Sequence, residues 1–259
     1  MSKKVPDWVT DPFSDFLDHQ KTVSDLVHLS MRGISMLRGL PKAVEVLARV
    51  HADDSQRGDS GAQELEHARN LAALAQQEID RSFPLLHAQA AVSLWTSLES
   101  LIRGFLASWL ANEPAARDAE AVRKIKIPLA EFQDMPTDER WYYIVDLLDA
   151  EVQGPLKQGI SRFEASLSVF GLGGAVEDDV RKDLFELCNV RNVLIHRRGV
   201  ADRRLVKACP WLALKPGDPV AVTHEALGRY MASATRYVIT LMTRVWAHFG
   251  VDLEAEQDA

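Results

Sequence analysis

The stretch Ala90-Ala-Val-Ser-Leu-Trp-Thr-Ser-Leu-Glu-Ser-Leu-Ile-Arg-Gly-Phe-Leu-Ala-Ser-Trp-Leu110 decides the fold class. Ala91, Leu94, Trp95, Leu98, Leu101, Ile102, Phe105, Leu106 and Trp109 recur at three- and four-residue spacing. That period puts them on one broad face of a helix, and a face this wide calls for helices on both flanks. Glu99 sits at its edge. The helical pattern extends back to Ala62, with Pro84 bending it or splitting it in two.

Working outward, the same period recurs and no run of strands appears. Residues 1–12 read as a lead-in, followed by a helical region from Phe13 to Val50. His51 to Gly61 is dense in turn formers and reads as a linker, so residues 1–61 are expected as an N-terminal helical appendage and linker, with residues 62–259 as the main helical domain. Glu113 to Pro136 reads as a connecting segment. Thr137 caps a helix through Trp141, Ile144, Val145 and Leu148. Another helix is expected from Pro155 to Phe170, ending at the turn Gly171-Leu-Gly-Gly174, which is too short for a nucleotide loop. Glu177 to Arg198 follows, with Gly199 as its C-terminal cap. Val220 to Val222 forms one short strand, and a last helix runs to about Phe249, before an acidic tail at Glu254–Ala259. The fold class is all-α, an antiparallel helical bundle.

On the helix from Glu177, the apolar stripe is Val180, Leu184, Leu187, Cys188, Leu194 and Ile195, and Arg191 falls in its middle. A buried unpaired guanidinium is costly, so Arg191 needs an anionic partner or a cleft. Glu99 is one candidate partner; a groove shared across a subunit interface is the other reading. Asn192 and His196 are four residues apart and share a flank of the helix. His196 lies in the last turn, where the helix dipole favours the protonated imidazole.

Composition sets the bounds. The chain has 259 residues, 47% hydrophobic and 26% charged, with formal net charge −7. It is large enough to bury a substantial core. An acidic protein is no general polyanion binder, yet Arg191, Arg197, Arg198, Arg203, Arg204 and Lys207 stand against Asp202 alone, a local net charge of +5. A helix C-terminus attracts one or two cations by its dipole; this group continues past the helix. Cys188 and Cys209 form neither a disulfide framework nor a zinc site. No apolar run is long enough for a membrane span, and the N-terminus has no secretory pattern, so a cytoplasmic protein is expected. Nothing has the spacing of H-E-x-x-H, and neither metal nor cofactor is expected.

Arg191-Asn-Val-Leu-Ile-His196 resembles the signature of the HEPN superfamily, an arginine and a histidine with four to six residues between them on a helix of an all-α bundle. Asn192 matches the polar residue that ribonuclease members carry after the arginine. Leu94-Trp-Thr-Ser-Leu-Glu99 and Gly199-Val-Ala-Asp202 are similar to bacterial members, and the resemblance spans Ala62 to Phe249. It implies metal-independent RNA cleavage by a homodimer whose two motif helices share a cleft. In that reading Arg191, Asn192 and His196 are catalytic, Arg197, Arg198, Arg203 and Arg204 bind the RNA backbone, and Glu99 supports Arg191. A toxin or phage-defence effector, with an antitoxin or regulatory protein as a further partner, is the setting implied. Some HEPN toxins silenced by nucleotide addition carry a tyrosine two residues after the histidine; Arg198 stands there, so that control is not expected. Other members are non-catalytic modules that bind nucleotide, RNA or protein, and this alternative stays open.

Overall fold

In the computed structural model Pro84 opens a new helix instead of bending a continuous one. The structure describes residues 4–50, 60–152 and 159–251. Along them run α1 (Asp7–Leu37), α2 (Leu40–Val50), α3 (Ser60–Asp80) and α4 (Pro84–Asn112). The connecting segment is itself coiled into α5 (Pro114–Arg117), α6 (Glu120–Lys124) and α7 (Leu129–Asp134). Then come α8 (Thr137–Val152), α9 (Ile160–Ser168), α10 (Asp178–His196), α11 (Arg203–Ala208) and α12 (His224–His248), with a 3-10 turn at Pro210–Leu212. The fold is all-α. The linker expected from His51, the start of the helix expected at Pro155, and the tail at Glu254–Ala259 fall outside the described residues.

The break before α4 is made by Ser82 and Phe83, both left-handed at φ 61° and 54°. Such a backbone costs about 1–2 kcal/mol per non-glycine residue. It is offset locally: the Phe83 ring is buried, and its N–H donates to the Glu78 carbonyl at 3.0 Å. Pro84 then occupies the first helical turn, where its missing N–H leaves nothing unsatisfied. Every residue expected on the buried face of α4 is buried. Helices α1, α8, α10 and α12 pack around it.

The N-terminal expectation needs correcting. Helix α1 starts at Asp7, where the Pro6 carbonyl accepts from Val9 and Thr10 at 2.9 and 3.2 Å. Val9, Phe13 and Phe16 follow helical spacing and enter the same core as α4 and α12. The Phe13 ring lies 5.3 Å from Phe105 and 5.5 Å from Trp246, and Trp8 lies 5.8 Å from Trp109. The first half of α1 is thus a wall of the core and not an appendage. The aromatic residues that bind it stand in the segment read as a lead-in and at the very start of the first helix. Val27 still belongs to this core, with Val23 and Met31 packed against it; beyond them α2 buries no residue, and α3 buries Ala68 and Ala75 among its described side chains.

The expected strand at Val220–Val222 is also absent. The segment 217–220 instead meets 199–201 through Ala201 N–H to Asp218 O, Gly217 N–H to Ala201 O and Val220 N–H to Gly199 O, at 2.7–2.8 Å. This makes one isolated antiparallel bridge, Val200 to Pro219. No helix of the described residues is long and apolar enough to cross a membrane.

The first turns of α4 and α12 meet at two histidines, His87 and His224, with ring centroids 5.5 Å apart. His87 is fully buried and neither ring nitrogen makes a hydrogen bond. Burial holds its pKa below the ordinary 6.5, reinforced by the neighbouring His224, and the backbone of Val222 offsets this only in part. A base with a depressed folded pKa binds fewer protons folded than unfolded between the two values. Stability is therefore complete above pH 6.5 and falls as pH drops below it, by at most about 1.4 kcal/mol per pH unit, until the folded pKa is passed. His87→Leu is expected to flatten this acid limb, as measured by urea melts across pH 7 to 5.

A second expectation separates core from periphery. Phe13, 1% exposed, should cost about 3–5 kcal/mol on replacement by alanine. Leu29, 70% exposed on the far half of the same helix, should change stability by no more than about 0.5 kcal/mol when replaced by alanine. Urea melts of the two variants check both.

Candidate functional site

Helix α10 carries Asp178 and Asp179 in its first turn, where carboxylates complement the helix dipole. Val180, Leu184 and Leu187 are buried as the stripe requires, but beyond Leu187 the buried face turns. Glu186, Asn189, Val190 and Val193 are buried in the second half, while Leu194 and Cys188 are half-buried and Ile195 is 46% exposed. The stripe drawn from the sequence alone is thus wrong for the last two turns. The cause lies outside the helix: α11 and α12 pack on α10, and the turn Pro210–Leu212 reaches it through Trp211.

The residue that fixes this roll is Glu186, a carboxylate only 1% exposed. It accepts from Tyr230 Oη at 2.6 Å, from Arg229 Nη2 at 3.0 Å and from Trp211 Nε1. Arg229 also donates to Asp183 at 2.5 Å, and Ser233 donates to Asp183 at 2.8 Å. Burial and the adjacent carboxylate push the Tyr230 hydroxyl well above its usual range, so it remains a donor. Three donors on one buried carboxylate satisfy a charge that would otherwise be very costly. Sequence reading missed Glu186; its polar position beside the stripe gave no sign of burial.

Arg191 stands on the face left half open. Its Nη2 lies 3.3 Å from Glu99 Oε2, and its Nη1 donates to Asn192 Oδ1 at 3.2 Å. Its Nε is buried with no partner. Glu99 also lies 3.9 Å from Arg162 Nη1, and Arg162 Nε donates to Asp149 at 3.0 Å. Both thiols stay protonated: burial pushes Cys188 up, and it pushes Cys209 to about 12.

Asn192 and His196 open on the other flank, into a pocket of about 340 Å³ lined also by Asn189, Val193, Arg197, Asp202, Arg204 and Leu205. The rim is held by the loop after α10. Arg198 and Gly199 are both left-handed, at φ 54° and 72°, so the expected glycine cap begins one residue early, on an arginine. Asp202 then caps α11, accepting from the Leu205 N–H at 2.8 Å, and its other oxygen lies 3.8 Å from Arg197 Nε. The structure therefore brings together Asn192, His196, Arg197 and Arg204. Arg198 and Arg203 are exposed but do not line the pocket, and Arg191 backs onto it from the Glu99 side.

A larger groove, about 700 Å³, runs between α1 and α4, with Asp11, Asp15, His19, Ser97, Ser100 and Tyr142 among its lining. It contains carboxylates and hydroxyls but no lysine or arginine, so a polyanion has no counter-charge there. Size alone does not make it the better candidate. Comparison of the chain with protein-family models, curated proteins and solved structures finds no match.

Proposed function

We propose that this chain is a metal-independent endoribonuclease with a HEPN-type bundle, acting as a homodimer, in the setting of a toxin or phage-defence effector. The observation that carries this reading is the pocket at the end of α10 lined by two amides, an imidazole and two guanidinium groups, with Asp202 as its one carboxylate. A ribose 2′-OH attacks the adjacent phosphorus and loses its proton to His196 as general base. The bond to the 5′-oxygen breaks, and that oxygen takes a proton from a general acid, the second histidine of the dimer in this reading. The products are a 2′,3′-cyclic phosphate and a 5′-OH, with no water consumed.

Arg197 and Arg204 hold the flanking phosphates with the forked donors that suit phosphate oxygens. Arg191 lies one residue from Asn192 and stabilises charge on the phosphorane where two copies of α10 meet. The exposed Ile195 beside half-buried Leu194 and Cys188 supports a two-fold contact on that face.

Cleavage is expected in excess EDTA, giving ends that carry a cyclic phosphate. His196→Ala should reduce the rate by about 10²–10⁴-fold while the helical circular dichroism is unchanged. Equal cleavage by the variant sinks the proposal. Arg197→Ala and Arg204→Ala should each weaken RNA binding and reduce the slope of log K against log salt by about 0.7, one phosphate contact on a single strand.

A second reading is favoured by one observation. Arg191 is engaged by Glu99 and Asn192 and does not line the pocket. In a non-catalytic module that binds nucleotide, RNA or a protein partner, that ion pair is purely structural. Arg191→Ala then lowers the melting temperature or weakens dimerisation, and no RNA is turned over by the wild type.

A further inference from the structure

We propose that Asn189 is a base-reading residue, and that this pocket takes one unpaired ribonucleotide of a single strand. The inference rests on the reading that the pocket handles RNA, and adds to it the way the base is held. Asn189, Asn192, Val193 and His196 fall at i, i+3, i+4 and i+7, so they form one line along α10 facing the pocket. Asn189 is 5% exposed. Its Nδ2 donates to the Phe185 carbonyl at 2.9 Å. A carbonyl can only accept, so the amide orientation is fixed and Oδ1 is the acceptor left over. No donor among the described residues reaches that oxygen, and it is not sealed from solvent, so it stands as a free acceptor at the pocket wall.

Asn192 has the opposite polarity. Its Oδ1 accepts from Arg191, so its Nδ2 remains as the free donor. One acceptor and one donor therefore stand a single helical turn apart inside the same concavity. Each RNA base presents a donor beside an acceptor on its Watson–Crick edge, and that edge is free only when the base is unpaired. Val193 and Leu205 offer apolar contact to the ring, and Arg197 and Arg204 meet the phosphates. The volume of about 340 Å³ lies at the small end for ligand pockets, in keeping with one nucleotide and not a duplex.

The test compares wild type with Asn189→Leu, which keeps the bulk and removes the acceptor. Asn189→Ser is the second variant; its hydroxyl can still bond the Phe185 carbonyl four residues back but is too short to reach the base. Cleavage sites are mapped on a mixed-sequence RNA, and binding of 2′-O-methyl hexamers of A, C, G and U is read by fluorescence anisotropy, with thermal melts confirming that each variant is folded. The wild type is expected to prefer some bases at one position, and the folded variants to flatten that preference by about 10-fold while cleavage chemistry persists. An unchanged preference in a folded variant, or a wild type that cuts without preference, overturns the role of Asn189 and leaves the ribonuclease reading standing. A wild type that neither cuts nor binds RNA overturns both.

Discussion

A helix with so broad a buried face cannot be covered by a single neighbour, and α4 imposes that constraint on everything else. Its buried residues, from His87 to Leu110, need cover on several sides. The chain supplies it with α1, α8, α10 and α12. The aromatic cluster of Trp8, Phe13, Phe105, Trp109 and Trp246 is where three of these helices meet, in edge-on and tilted contacts that favour oppositely charged ring edges and faces. Helix α10 packs against α4, α9, α11 and α12, so which of its flanks stays open depends on its roll about its own axis.

That roll decides the chemistry. Glu186, held by Trp211, Arg229 and Tyr230, pins the middle of α10 against α12 and the turn after α11. With that side covered, the last turns present two different flanks. One carries Arg191 and Ile195 towards Glu99 and solvent. The other carries Asn189, Asn192 and His196 into the pocket closed by Asp202, Arg204 and Leu205. A buried carboxylate with three donors is thus a positioning element for a site two turns away. A core built only of leucine could settle at several roll angles; a carboxylate with named partners settles at one.

Much of this was legible from residue spacing. The buried face of α4 was, because an unbroken three-four period admits one geometry. So was the need of Arg191 for an anion or a cleft, because a guanidinium on an apolar face cannot stay unpaired; Glu99 was one of the two readings. The sharing of one flank by Asn192 and His196 follows from helix geometry. What escaped did so for a common reason: polar residues lose their usual meaning when distant groups satisfy them. Glu186 and Asn189 lie off the apolar stripe, and nothing near them in the chain marks them until Tyr230, Arg229 and Trp211 are brought beside the one and Arg204 and Leu205 line a pocket with the other. The N-terminal aromatics escaped because three or four apolar residues in a charged segment gave too little period to show a core contact.

The sequence by itself determined that the chain is helical, where its longest buried face lies, and that an arginine, an amide, an imidazole and a group of guanidinium ions cluster near residue 196. These depend on neighbours within two turns, and local geometry is the same in any fold. Only the tertiary structure decided that α1 belongs to the core, that the pocket joins Asn192 and His196 to Arg197 and Arg204, and that Arg191 faces away towards Glu99. Those outcomes depend on which side of α10 is covered, and covering is done by segments remote in sequence, whose contacts leave no period in the helix they bury.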